Sequence, residues 1–265
     1  MVRIGRLCYN NSQMRKFIFI ILVVICGLFL LNFTDTVKDS AGTYRLPYSA
    51  KSKKEKNSEY IGEKITYEIK FGNFRIGEAT FQHLDNTLLD GKPVALMTFE
   101  TNAGGFYDLE TIYSDLATFL PVKVTRKLRG LTFNEDITEN YDQKNFMLTM
   151  VKYKNNKKIA EEKFDNQGKP IYNAVSLPFY LRRLPDLKVG WSFSTHFGSL
   201  EYKIILSGKN NLDTPLGAFE TYHFESQPRK FKIWVTADER RIPVKIKDSG
   251  LLGYTLTMKG YSLEK

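Results

Sequence analysis

Cysteine is almost missing from this chain of 265 residues: there are two, Cys8 and Cys26, and none follows residue 26. The larger part of the protein therefore forms no disulfide and offers no thiol nucleophile. Histidine is scarce too. His83, His196 and His223 lie far apart, with no HxH or HxxxH spacing to set two imidazoles on one face, so no zinc pattern is present. No Gly-x-Ser-x-Gly elbow occurs, and Gly104-Gly105 leads into no Gly-Lys-Ser, which removes the usual signatures of a serine hydrolase and of a phosphate-binding loop. From the residues alone we expect no catalytic set, no cofactor site and no metal site.

Charge is missing from one stretch entirely. Phe17 to Phe33 reads FIFIILVVICGLFLLNF, with Asn32 as its only polar side chain. At about 1.5 Å per residue it spans about 26 Å as a helix, near the lower limit for a membrane anchor and long for a signal-peptide core. Arg3, Arg6, Arg15 and Lys16 precede it, and Asp35 and Asp39 follow, so the positive-inside bias holds the N-terminus in the cytoplasm and sends the rest outward. The expected organisation is a basic N-terminus over 1–16, a transmembrane or signal segment over 17–33, a polar tether over 34–59 and an exported domain over 60–265. Met14-Arg-Lys also suits a translation start. An uncleaved anchor is favoured, because Asp39-Ser-Ala-Gly is a poor cleavage site. Cys26 follows β-branched Ile25, which argues against a lipidated cysteine.

The formal net charge of +10 at first suggests a nucleic-acid partner, yet four of those charges belong to the N-terminal topology signal. Others gather in the tether at Lys51, Lys53, Lys54 and Lys56. What is left is a mildly basic domain, and nucleic acid is not an expected partner. A membrane is, through the hydrophobic segment.

Alternation dominates the remainder. Ile65, Tyr67, Ile69 and Phe71 face one way and Lys64, Thr66, Glu68 and Lys70 the other, the period of a half-buried strand. Gly72-Asn73 turns this strand into a return arm in which Gly77 marks a bulge, a bend or a close backbone approach. Similar segments, punctuated by turn residues, recur to Leu263 and give ten or more short strands. One segment departs from the pattern: across 173–184, Val175, Leu177, Phe179, Tyr180, Leu181 and Leu184 recur at a helical period, with Pro178 near the start and Pro185 as the stop. The expected fold is all-β, a curved antiparallel sheet, open or partly closed into a barrel, with one main helix laid against its concave face by Leu177, Leu181 and Leu184.

Five blocks carry a resemblance. They are Ile61-Gly-Glu-Lys-Ile-Thr-Tyr67, Arg75-Ile-Gly-Glu-Ala79, Ser176-Leu-Pro-Phe-Tyr-Leu-Arg182, Thr214-Pro-Leu-Gly-Ala-Phe219 and Ile233-Trp-Val-Thr-Ala-Asp-Glu-Arg-Arg-Ile-Pro-Val244. In order and spacing the chain resembles the bacterial envelope family known as domain of unknown function 3108. That resemblance implies an exported all-β domain similar to the lipoprotein-carrier half-barrels, and it implies no activity.

Two classes of function stand open on this reading. In the first, a non-catalytic envelope protein binds a lipid or another apolar envelope component in a groove between helix and sheet, lined by Phe179, Tyr180 and Trp234, with Gly77 and Gly217 permitting the sheet to bend. Asp238, Arg240 and Arg241 could hold an anionic group, although a solvated turn accounts for them more simply. The second class is an envelope hydrolase drawing on acids such as Asp115, Glu135, Asp136 and Asp238; a structural or assembly role is a third reading.

Overall fold

The computed structural model describes residues 60–131, 133–197, 200–249 and 253–264, all within the unit Ser40–Lys265. The N-terminus, hydrophobic segment and tether expected over 1–59 lie outside the described residues. Fourteen strands alternate hydrophobic and polar residues. They are β1 (Glu63–Phe71), β2 (Phe74–Leu89), β3 (Lys92–Ala103), β4 (Phe106–Asp115), β5 (Pro121–Arg129), β6 (Asn134–Asp142), β7 (Met147–Lys154) and β8 (Lys157–Asp165), then β9 (Ser192–Phe197), β10 (Leu200–Thr214), β11 (Gly217–Gln227), β12 (Phe231–Thr236), β13 (Pro243–Asp248) and β14 (Tyr254–Leu263). Among the described residues a single short helix, α1 (Leu177–Leu181), stands between β8 and β9. The fold is thus all-β, one open, curved antiparallel sheet with a short helix.

Each strand pairs antiparallel with its neighbour in sequence, and β1 also pairs with β14, giving the order β8-β7-β6-β5-β4-β3-β2-β1-β14-β13-β12-β11-β10-β9. Pairing the first strand with the last moves the break in the meander to β8 and β9. Those two edges flank the segment that carries the helix. An open edge exposes unpaired N–H and C=O groups, and a covering segment is one of the standard ways to protect it.

Register keeps the alternation coherent from strand to strand. Ile65 faces Phe81 and Tyr67 faces Ala79 across β1 and β2, while Phe81 faces Phe99 across β2 and β3. Gly77 meets its expectation in a specific way. The β1–β2 register shifts beside it, and a Cβ built there would stand 2.1 Å from the Asn102 carbonyl oxygen, so only glycine permits this approach of β2 to β3. Gly217 does not bend the sheet. It lies opposite Thr214 at the β10–β11 hairpin turn with φ +117°, a conformation that turns require.

The interior falls into two apolar clusters. One draws mainly on β1–β7, β13 and β14 and includes Ile65, Tyr67, Phe81, Met97 and Phe179. The other draws on β9–β12 and the helical segment, with Leu177, Tyr180, Leu181, Ile204, Phe224 and Val235. Helix α1 belongs to both. It is shorter than the 173–184 periodicity suggests, because 3₁₀-type bonds (Arg183 N–H to Tyr180 O, Leu184 N–H to Leu181 O) tighten the chain directly after it.

Candidate functional site

All five residues of α1 are apolar in character and buried. Such a helix is too short to be stable alone, so tertiary packing holds it. The Phe179 ring stacks on Phe81 with centroids 3.4 Å apart and planes 11° from parallel. Tyr180 turns to the other cluster, where Tyr172 meets it edge-on at 4.9 Å and Phe193 lies at 6.2 Å. The helix therefore acts as a plug, fastened at each end by polar side chains.

At its N-terminal end the fastening is Asn173. Its Oδ1 accepts the N–H groups of Val175 (2.9 Å) and Ser176 (3.0 Å), and the Ser176 hydroxyl donates back to the Asn173 carbonyl at 3.1 Å. These bonds satisfy donors that a helix start would otherwise leave unmade. Gln143 secures the approach: its amide donates to the carbonyls of Ile171 (2.8 Å) and Pro121 (3.0 Å) and accepts the Ile171 N–H (3.0 Å).

Behind Asn173 lies a cluster of buried carboxyl groups. Asp108 and Glu110 occupy the same face of β4 as Phe106 and Ile112, and Arg126 of β5 sits in register with Glu110. The Arg126 guanidinium donates to both oxygens of Asp108, with Nε at 2.9 and 3.0 Å, and lies 3.4 Å from Glu110. Glu139 of β6 accepts the Tyr141 hydroxyl, which also takes a long 3.4 Å hydrogen bond from the Asn173 amide. One guanidinium cannot neutralise three buried carboxylates. Burial pushes Glu110 up to about 8, against the pull of Arg126 and with repulsion from Asp108 and Glu139, and burial likewise raises Glu139. Near neutral pH Glu110 holds a proton.

The C-terminal fastening is an ion pair. Arg182, directly after α1, donates to Glu63 at the start of β1 through two nitrogens at 2.5 and 3.0 Å, with side chains 2% and 0% exposed. The same guanidinium donates to the Arg240 carbonyl at 2.8 and 3.2 Å and stacks over the Tyr60 ring at 4.0 Å. Arg241 adds a hydrogen bond to the Leu184 carbonyl. His83 is buried close by, and its Nε2 has no hydrogen-bond partner among the described residues. Burial, reinforced by the charges of Arg183 and Arg182, pushes the His83 imidazole down to about 3, so it stays neutral.

Of the three aromatic residues expected to line a groove, Phe179 and Trp234 belong to one apolar cluster and Tyr180 to the other. Phe179 and Tyr180 point into different clusters. Trp234 alternates with Ile233 and Val235 on β12 and sits opposite His223 and Lys245, with the His223 ring stacked on it at 4.5 Å and the Lys245 ammonium 5.3 Å from the ring. The trio of Asp238, Arg240 and Arg241 does meet, in the β12–β13 turn. Asp238 accepts the Thr236 hydroxyl (2.5 Å) and the Arg241 N–H (3.1 Å), while Arg240 pairs with Asp238 at 3.1 Å.

The acids weighed for hydrolysis are scattered. Asp115 caps its own turn through the Ala117 and Thr118 N–H groups, Glu135 pairs with Lys152 at 3.1 Å and Asp136 with Arg129 at 2.7 Å. Among the described residues, no group of three or more His, Cys, Asp or Glu side chains is placed to hold a metal ion. Sequence reasoning passed over Asn173, Glu63, Arg182, Glu110 and Glu139. A signal for the acids existed on β4, where Asp108 and Glu110 fall in the apolar register of Phe106 and Ile112. Glu63 and Arg182 stand 119 residues apart, and nothing local joins them.

An open, curved antiparallel sheet with a short apolar helix packed between two clusters defines an architecture, and by itself no chemistry. Residues 66–259 match the family described as "Protein of unknown function (DUF3108)", and the chain belongs to that family. No curated protein matches it. Among solved structures it is similar to a β-barrel-like protein of domain of unknown function DUF1849 from Brucella abortus, at 6% identity over 78% of this chain and 99% of that one, with a TM-score of 0.49. Two others are a chain described as an exported protein with a YmcC-like fold from Bacteroides fragilis (9% identity, 76% and 96% coverage, TM-score 0.31) and one described as a lipoprotein from Parabacteroides distasonis (9%, 76% and 95%, 0.26).

Proposed function

We propose that this chain is a non-catalytic protein of the cell envelope, anchored by residues 17–33 with its C-terminal domain outside the cytoplasm, whose half-barrel takes an apolar chain such as a lipid acyl group. The observation that supports this reading is helix α1. Five buried residues of apolar character lie between two apolar clusters, in the segment that joins the two edge strands β8 and β9, and polar side chains fasten that segment at both ends. A plug of this kind is exchangeable. When it lifts, Phe81 and the Tyr172–Phe193 pair are left without a cover, and an acyl chain can replace the area that Phe179 and Tyr180 had buried, at about 25 cal/mol per Å². In this reading Phe179 and Tyr180 mark the two walls of the site, and Trp234 belongs to the cluster of the first.

The test is photocrosslinking of the full chain, reconstituted in vesicles, with a phospholipid carrying a diazirine in its acyl chain. Crosslinks on the peptides containing Phe81 and Phe179, reduced severalfold by Phe179→Trp, would support the proposal. Crosslinks confined to residues 17–33 would end it. Membrane topology is tested separately: a reporter fused after Lys265 should be active only outside the cytoplasm.

A further inference from the structure

The antiparallel order forces alternate connections to the same end of the sheet. The β1–β2, β3–β4, β5–β6, β7–β8 and β11–β12 connections all emerge on one rim, whereas α1, the β2–β3, β4–β5, β6–β7, β10–β11 and β12–β13 turns and the start of β1 belong to the other. The two rims differ in charge. Around the first stand Lys70, Arg75, Arg129, Lys154, Lys157, Arg229 and Lys230. Of these, Lys154, Lys157 and Lys230 form no salt bridge among the described residues, and Arg229 acts on Glu225 only through the electrostatic field. The turns of the second rim carry Asp90, Asp115, Asp142, Asp213, Asp238 and Glu239 beside Lys92, Lys144, Arg240 and Arg241, so acids outnumber cations there, and several of the acids cap backbone N–H groups.

The basic rim also exposes large apolar side chains, each within two residues of a cation. Phe74 is 77% exposed beside Arg75, Leu131 is 87% exposed two residues from Arg129, and Ile159 is 51% exposed two residues from Lys157. The β1–β2 and β7–β8 turns beside Phe74 and Ile159 are tight, with positive φ at Gly72, Asn155 and Asn156, so no long loop belongs to either hairpin. Exposed apolar tips set among cations complement one surface in particular, a bilayer whose anionic headgroups lie above an apolar interior. From this juxtaposition we infer that the rim formed by the β1–β2, β5–β6, β7–β8 and β11–β12 connections docks on an anionic lipid surface, Phe74 and Leu131 entering the acyl boundary while the cations meet headgroup phosphates. A soluble polyanion would engage the cations and leave the apolar tips without a role. The inference is independent of whether the interior takes an acyl chain.

The experiment uses the full chain in vesicles that contain lipids with brominated acyl chains, which quench tryptophan only within the apolar layer. Phe74→Trp places the probe on the basic rim, and Leu88→Trp, at a site 69% exposed on the other rim, is the control. In vesicles containing phosphatidylglycerol, the added tryptophan at position 74 should be quenched severalfold more than the one at 88. The difference should vanish in phosphatidylcholine alone or at high salt. Replacing Lys154, Lys157 and Arg229 by Gln should weaken docking about fivefold per cation removed. Equal quenching at both rims, or quenching at 74 that ignores phosphatidylglycerol, overturns the inference. So does polyphosphate binding that depends on the same cations without quenching at 74.

Discussion

The two ends of the plug are fastened by different physics. At Arg182 one guanidinium meets one carboxylate, both removed from water, with the remaining donors taken up by the Arg240 carbonyl. At Asn173 a neutral amide binds the helix start, and behind it three carboxyl groups share a single guanidinium. The first is a balanced pair, costly to break from either side. The second is short of positive charge, and a proton on Glu110 offsets part of the difference. The contrast shows that two polar fastenings of similar burial can respond oppositely to mutation and to pH.

Removing one partner of the balanced pair should produce the largest effect. Arg182→Met leaves the Glu63 carboxylate buried without its counterion and should lower stability by about 3–5 kcal/mol in urea unfolding. Adding Glu63→Leu to the same chain should restore most of that loss, since an apolar pair of similar volume avoids the desolvation cost. A double variant no better than the single one would break the comparison. Phe179→Ala, which strips the plug of its ring against Phe81, should cost about 3 kcal/mol if the site stays empty. That loss should shrink when an acyl chain is bound. Asn173→Ala comes next, at about 1–3 kcal/mol, because it leaves the Val175 and Ser176 N–H groups and the carboxyl cluster short of a partner.

Titration sharpens the contrast further. Glu110 is raised in the native state, so that state holds a proton which the unfolded chain releases above about pH 4.5. Its contribution to stability falls as pH rises through that value and levels off near 8. His83 has the opposite sign. Its native value is lowered, so below about pH 6.5 the unfolded chain takes up a proton that the native state refuses, and stability falls as pH drops towards 3. Unfolding measured from pH 4 to pH 8 should therefore show Glu110→Gln gaining on the parent chain towards alkaline pH and His83→Gln gaining towards acid, each on the order of 1–2 kcal/mol over two pH units. Parallel curves for parent and variant would refute the assignment. The smallest expected effect is on the basic rim, where Phe74→Ser, at an exposed hairpin tip, should change stability by no more than about 0.5 kcal/mol.

The strands were legible from sequence because alternation is a local property. In β1 and β12 the residues that point inward can be read off directly, and turn residues such as Gly72-Asn73 and Asn155-Asn156 mark where the chain reverses. Helix α1 was legible as well, through Pro178 and the run of large apolar side chains, although its regular part is shorter than the periodicity implied. The candidate site was much less legible. Phe179 and Tyr180 stood out as large aromatics, but the grouping of Phe179 with Trp234 in one cluster and of Tyr180 in the other depends on which strands lie side by side. Asn173 gave no signal at all, since an asparagine before a helix has many equivalent uses.

By itself, then, the sequence determined an all-β domain behind an uncharged N-terminal stretch, the succession of its strands and the one segment that would not join the sheet. Those features follow from periodicity and turn chemistry within a few residues of each position. Only the tertiary structure decided that β1 and β14 are neighbours, that β8 and β9 are the free edges, and that Glu63 reaches Arg182. It also decided that cations from widely separated turns gather on one rim. Each of these outcomes depends on which strands lie side by side, and that is fixed by the collective burial of inward-facing side chains rather than by any local pattern.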